Sequence, residues 1–453
     1  MNETKKTLIF AGAAVILALA AFVFSPSRIT PEAFVDQGEP FYPEFTDPNE
    51  ATTLEVIDYD ETSGTARPFK VTFSNGRWTI PSHHNYPADA KDRLAKTAAG
   101  VIDIKKDDFR TSNAADHERC GVIDPLDNTS PSLTGRGSRI TLKGKDDQIL
   151  ADFIVGNPVP DRPGFRFVRV PGQNRVYAAR MDIDLSTKFS DWIETNLLEV
   201  SSNKIDKIMI KDYSIDERTR SVVPRDNIDL EKNGENVWSM KGRGASSLDT
   251  SKVKSMVNTL AGLKIVGVRP KPEGLSAYLS NPGENQISQD GRLSLQSKGY
   301  YFTRDNSLMS NEGELNVRST DGVVYVLRFG EVLYGSGLEV TAGGLGSKGD
   351  GDDGQGKANR YLFISAGFDD NYFKKPPEPR STDFKDKPDS LWTNSDRRNK
   401  ELQDALDAWQ EKVHKGRQLA DQLNKRFADW YYVISEDSFD KIHLNRQALT
   451  SKS

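Results

Sequence analysis

His117 and Cys120 stand in a His-x-x-Cys spacing, a pattern that suits two metal ligands. A structural zinc site takes about four such ligands, and no second pair stands at matching spacing. His83 and His84 are adjacent, and neighbours on a strand point to opposite faces. The run Gly343 to Gly356, with Asp350, Asp352 and Asp353, resembles a calcium loop in composition. It lacks the Asp-x-Asp-x-Asp-Gly order and the later Glu, so it reads as a flexible insertion. No Gly-Lys-Ser/Thr follows it to make a phosphate loop. No Gly-x-Ser-x-Gly occurs, and the five histidines offer no recognisable partner for a nucleophile. Carboxylate pairs such as Asp107-Asp108 and Asp369-Asp370 read as solvated turns at this charge density. A glycosidase-type pair stays open, because its separation is spatial and not sequential. The residues therefore predict no catalytic, cofactor-binding or metal-binding set.

The strongest interaction candidate is a helix over about 395–428. Leu402, Leu406, Trp409, Val413, Gly416, Ala420, Leu423 and Phe427 follow 4-3 spacing, a coiled-coil-like seam. Its favoured occupant is the chain's own core, as for most apolar helix stripes. The functional reading makes Leu402, Leu406, Trp409, Val413, Leu423 and Phe427 a partner-binding face.

These residues sit in a chain of 453 residues, long enough for two or three domains. Hydrophobic residues make up 36% and charged residues 28%, which calls for long polar loops around ordered cores. The net charge of -5, with both signs interspersed, excludes nucleic acid as the main partner, since phosphate neutralisation needs a clustered basic face. The single cysteine cannot form an intrachain disulfide.

Leu8 to Phe24 is an uncharged apolar run of 17 residues, at the short end of a bilayer-spanning helix. Lys5 and Lys6 precede it, so the positive-inside rule leaves the N-terminus in the cytoplasm. The alternative is a signal peptide cleaved after Ala18-Leu19-Ala20. The run continues through Phe22-Val23-Phe24, which a signal peptide does not need, so a retained transmembrane anchor is favoured. Either reading puts the body outside the cytoplasm: a single-pass protein of the inner (cytoplasmic) membrane with a periplasmic body. Ser25 to Asn49, rich in Pro and acidic residues, is an extended spacer whose aromatic end, Phe41 to Phe45, docks on the first domain.

The body repeats itself. Gly76-Arg77-Trp78-Thr79-Ile80 returns as Asn236-Val237-Trp238-Ser239-Met240. A period this long is a duplicated domain, not a solenoid unit. Each copy opens with an alternating strand, 53–59 and 205–211, then a second, 69–73 and 227–231. Asn75-Gly76 and Asn233-Gly234 are hairpin turns into each Trp. Asp89 and Asp249 stand as N-caps of a helix in each copy, with Gly100 and Gly262 as C-caps. A ribbon closes each copy, 139–143 with 150–156 and 315–318 with 323–330, its later strands ending at Gly156 and Gly330. A last strand follows at 165–170 and at 360–364. Lys188-Phe189-Ser190-Asp191-Trp192 reappears as Arg426-Phe427-Ala428-Asp429-Trp430, and Phe439 to Leu444 echoes the opening strand. That echo predicts a C-terminal strand added to the second sheet.

The predicted architecture is α+β: an N-terminal transmembrane helix, then two tandem copies of an antiparallel-sheet-plus-helix domain, with an added long helix near the C-terminus. The order is an anchor at 1–24, a spacer at 25–49, repeat domains at 50–200 and 201–394, the helix at 395–430 and a truncated third repeat start at 431–453.

The Trp hairpin, the Asp-capped helix, Cys120-Gly121-Val122-Ile123-Asp124-Pro125-Leu126, Val155-Gly156-Asn157-Pro158, Val176-Tyr177 and the Phe-x-Asp-Trp segment resemble the bacterial domain of unknown function 4340. The resemblance covers most of 50–200 and, more loosely, 201–435. Long insertions at 270–312 and 331–358 depart from it. It implies a membrane-anchored envelope protein with an accessory role beside gliding-motility-type ABC transporters, and it supplies no catalytic residues. The expected function is a non-enzymatic extracytoplasmic scaffold or accessory subunit of an envelope complex, with an ABC transporter permease as partner. The alternative is an envelope hydrolase, or a polysaccharide- or small-ligand-binding protein, using carboxylates in a cleft between the copies.

Overall fold

The computed structural model describes residues 3–23, 35–160, 162–181, 183, 186–194, 196–216, 218–219, 221–233, 237–242, 248–280, 286–303, 306–335, 337–343 and 358–450. The fold is α+β, with two large antiparallel sheets and a long helix near the C-terminal end. The chain divides into two compact units, Met1–Glu50 with Lys96–Asp184, and Ala51–Ala95 with Leu185–Ser453. This grouping is not collinear with the two repeats read from the sequence.

In the smaller unit the strands run in the order Ser138–Lys143, Ile149–Pro158, Phe165–Arg169, Val176–Arg180 and Asp108–Thr111. Ile140, Leu142, Phe153 and Val168 are fully buried. The aromatic end of the spacer docks in this unit as expected. Phe41 and Phe45 are buried, Phe41 meets Tyr177 edge to face at 5.4 Å, and Tyr42 donates to the Asp152 carbonyl. Asp36 accepts from Tyr177 Oη at 2.6 Å and from Arg175 at 2.9 Å.

The larger unit holds the strand run Tyr86–Pro87, Arg77–Ile80, Thr65–Ser74 and Thr53–Asp60. It also holds the second sheet, ordered Trp238–Met240, Ser221–Lys232, Ile205–Asp216, Glu314–Ser319, Val323–Tyr334, Ala358–Phe368, Trp430–Ser435 and Gly267–Pro270. Period-2 alternation sets its inner face: Val323, Tyr325, Leu327 and Phe329 are buried while the residues between them are half-buried. Asn75 and Gly76 take φ of 53° and 77° and join Ser74 to Arg77, as a two-residue hairpin demands. The second such turn includes Gly234, outside the described residues.

Several local expectations are corrected. Asp249 caps its helix, Thr250–Ala261, accepting from Ser251 and Lys252 N–H, but the corresponding helix opens at Lys91, two residues past Asp89. That helix also runs through Gly100 to Ile102, whereas Gly262 does sit at its C-cap. Gly156 and Gly330 lie inside strands at register shifts, between Val155 and Pro158 and between Phe329 and Val332. A strand glycine marks a bulge here and not an end.

The C-terminal echo is also corrected: Glu436–Ile442 is a helix, capped by Ser435 accepting from Ser438 N–H. Phe439 and Ile442, three apart, bury one helical face, so the segment that echoes the opening strand in sequence does not repeat its structure. The strand that joins the second sheet is the preceding one, Trp430–Ser435.

The N-terminal helix covers Glu3–Val23, and Ile9, Phe10, Val15, Ile16, Leu17 and Leu19 are all exposed. Among the described residues no helix is long and apolar enough to cross a membrane. Charge occupies the first turn, and the apolar stretch from Leu8 to the helix end at Val23 rises only ~24 Å against a hydrocarbon core of ~30 Å.

Candidate functional site

The structure gives the histidine and cysteine candidates structural surroundings. His117 is buried and its Nε2 bonds the Asn174 carbonyl at 3.0 Å. Cys120 is buried in an apolar cluster with Val122, Ile154 and Val176, and burial pushes its thiol up. Among the described residues no group of three or more His, Cys, Asp or Glu could hold a metal ion. The Asp350, Asp352 and Asp353 loop lies outside the described residues. His83 ends a short 3-10 turn and not a strand; it stacks on Phe189 at 4.4 Å and bonds Ser82 and Thr341, each at 3.0 Å. Burial pulls its pKa down to about 4.

The long helix, Asn394–Phe427, opens with a capping box in which Thr393 and Asp396 bond each other's backbone N–H. It packs on the strands Ala358–Phe368 and Val323–Tyr334 of its own sheet. Val413, Leu423 and Phe427 of the proposed face are buried, while Leu402, Leu406 and Trp409 are half-buried. Trp409 Nε1 donates to the Phe373 carbonyl at 2.9 Å. Asn424 binds both backbone groups of Ala366, which lies beyond the reach of Trp430–Ser435 along that strand.

Where this helix ends, the larger unit has a cleft of about 610 Å³. One wall comes from the hairpin at 77–89, with Arg77, His84, Tyr86 and Asp89. A second comes from Glu194 and Glu199, and a third from Lys425, Arg426, Asp429 and Trp430. Arg426 forms an ion pair with Glu199 and donates to the Asn196 carbonyl at 3.4 Å, tying two walls together. Tyr86 is buried, its hydroxyl pKa raised by desolvation, and its ring meets Trp430 edge to face at 5.0 Å. The other charged groups, Arg77, Lys425, Asp89, Glu194 and Asp429, have no direct ion pair among the described residues, though the charge of Asp429 acts on the buried Lys271.

The backbone of this cleft is unusual. His84, Asn85 and Glu199 have φ of 58°, 58° and 50°, three of the seven non-glycine residues with positive φ among those described. Such conformers cost on the order of 1 kcal/mol each and persist where surroundings fix them. His84 is held by a 2.7 Å bond from Nε2 to the Ala342 carbonyl.

By sequence, Asp89 reads as a helix cap and Trp430 as part of a repeat. The one available signal was that the Phe-x-Asp-Trp segment recurs: Asp89 N–H donates to the carbonyl of the first copy's Trp192, at 2.8 Å, and the second copy's Asp429 and Trp430 line the same cleft.

Residues 78–279 match the family model of DUF4340, a domain of unknown function. The matched stretch opens at Trp78 of the hairpin and includes Asp89, Glu194 and Glu199. The long helix and the cleft residues at 425–430 lie outside it. The resemblance to DUF4340 read from the residues is thus borne out over all of the first copy after its two opening strands and over the opening of the second. No curated protein and no solved structure gives a significant match.

Proposed function

We propose that this protein is a membrane-attached, extracytoplasmic accessory or scaffold subunit of an envelope complex, of the ABC transporter type. The observation that carries the reading is the N-terminal helix, with Ile9, Phe10, Val15, Ile16, Leu17 and Leu19 all exposed. Burying such a surface is worth roughly 25 cal/mol per Å2, and a bilayer is the solvent it fits. The accessory role that the family resemblance implies agrees with this reading, although the matched domain is itself of unknown function. Since no described helix is long and apolar enough to cross a bilayer, attachment is tested first. The full-length protein should stay with membranes after an alkaline carbonate wash. Gentle detergent extraction should then bring a stoichiometric permease and ATPase with it. Release by the wash sinks the anchor, and a protein extracted alone sinks the accessory role.

The cleft favours a second reading, that the larger unit binds a polar small ligand or a polysaccharide through carboxylates. Unpaired charges of both signs around two aromatic rings are the chemistry of a recognition site.

A further inference from the structure

We infer that the cleft at the C-terminal end of the long helix binds a neutral oligosaccharide, with Trp430 as its platform. The inference rests on, and deepens, the ligand-binding reading. Four properties of the cleft select the ligand class.

Its size, about 610 Å³, lies within the range of small-molecule sites and well above the needs of one amino acid or one inorganic ion. Its only aliphatic residues are Pro87 and Ala88, and a lipid tail laid there would strip water from the charged groups Arg77, Asp89, Glu194, Lys425 and Asp429. Its charges nearly cancel: Arg77, Lys425 and Arg426 face Asp89, Glu194, Glu199 and Asp429. That balance, one carboxylate in excess, gives no net attraction to a phosphate or polyanion.

The fourth property is the pairing of donors and acceptors. A sugar hydroxyl both donates and accepts. Carboxylates only accept, while guanidinium and ammonium only donate. A cleft offering Asp89 and Asp429 beside Arg77 and Lys425 can satisfy both halves of each hydroxyl. Trp430 is half-buried, its one ring contact among the described residues is the edge-to-face one with Tyr86, and its indole N–H is a further donor. An aromatic ring covers the C–H face of a pyranose, which the polar walls cannot. The Arg426–Glu199 pair and the buried Tyr86 fix the walls before the ligand arrives, which lowers the ordering cost of binding.

The test uses the full-length protein in a detergent without a sugar headgroup. Cellotriose, maltotriose and tri-N-acetylchitotriose are titrated by calorimetry and by tryptophan fluorescence, with glycylglycine and inorganic phosphate alongside. At least one trisaccharide should bind saturably at millimolar or lower concentration. Trp430→Phe keeps a ring against Tyr86 and should weaken that binding at least tenfold with the thermal midpoint little changed. Asp89→Asn, on the surface and away from the core, should weaken it as well. Binding that both variants leave unchanged overturns the assignment to this cleft. Saturable binding of glycylglycine or phosphate, with no trisaccharide bound, overturns the carbohydrate class while preserving ligand binding. No binding of any probe by folded protein overturns both.

Discussion

Gly416 of the long helix lies directly against Phe368 of the sheet, with no room for a side chain between them. A β-carbon on Gly416 would stand 2.6 Å from the Asp321 carbonyl oxygen and closer still to the Phe368 ring. Alanine gains ~1 kcal/mol over glycine in a helix interior, while overpacking costs ~1–3 kcal/mol. Gly416→Ala should therefore lower the thermal midpoint despite its better propensity. An unchanged or higher midpoint would mean the helix is not seated on this sheet, and would return its face to the list of partner surfaces.

The two aspartates that open the repeat helices are not equivalent. Asp249 accepts from Ser251 and Lys252 N–H at 3.0 and 3.1 Å, whereas Asp89 precedes its helix by two residues. Asp249→Ala should cost ~1 kcal/mol, the usual worth of an N-cap. Asp89→Ala should cost less, and paired chemical denaturation curves decide between them.

Lys271 donates to the carbonyls of Phe427 and Ala428, at 3.1 and 2.8 Å, and its ammonium lies 4.2 Å from the Phe363 ring centroid. Burial pulls its pKa from 10.5 to about 7. Between those values the unfolded chain binds more proton than the folded one, so this group makes stability rise with pH from about 7 to 10.5. Lys271→Met should flatten that part of the thermal midpoint profile. A variant profile parallel to wild type would show that Lys271 titrates normally.

His83 shows the same linkage on the acid side. Its pKa falls from 6.5 to about 4 by burial, so the unfolded chain takes up the proton first as pH drops. Stability present above about 6.5 is lost progressively toward 4. His83→Phe keeps a ring against Phe189 but cannot charge, and its midpoint should fall less between pH 7 and 5 than that of wild type. Equal losses would exclude His83 from the acid response.

The sequence by itself determined the elements whose signals are local. Alternation at Thr53–Asp60 and Ile205–Asp216, the positive-φ turn at Asn75-Gly76, the cap at Asp249 and the 4-3 seam of the long helix each follow from a few neighbouring side chains. The seam even indicated its own burial, since Val413, Ala420, Leu423 and Phe427 lie inside. Local signals failed where a segment echoes a strand in sequence but not in structure, as at Phe439 and Ile442, and where a glycine marks a bulge inside a strand, as at Gly156 and Gly330. The cleft was beyond them altogether. Tyr86, Glu199 and Trp430 come from three distant segments, and nothing in the spacing of any one refers to the others. Only tertiary packing brings them together, because a binding site is a relation in space, while periodicity reports solely on which face of its own element a residue occupies.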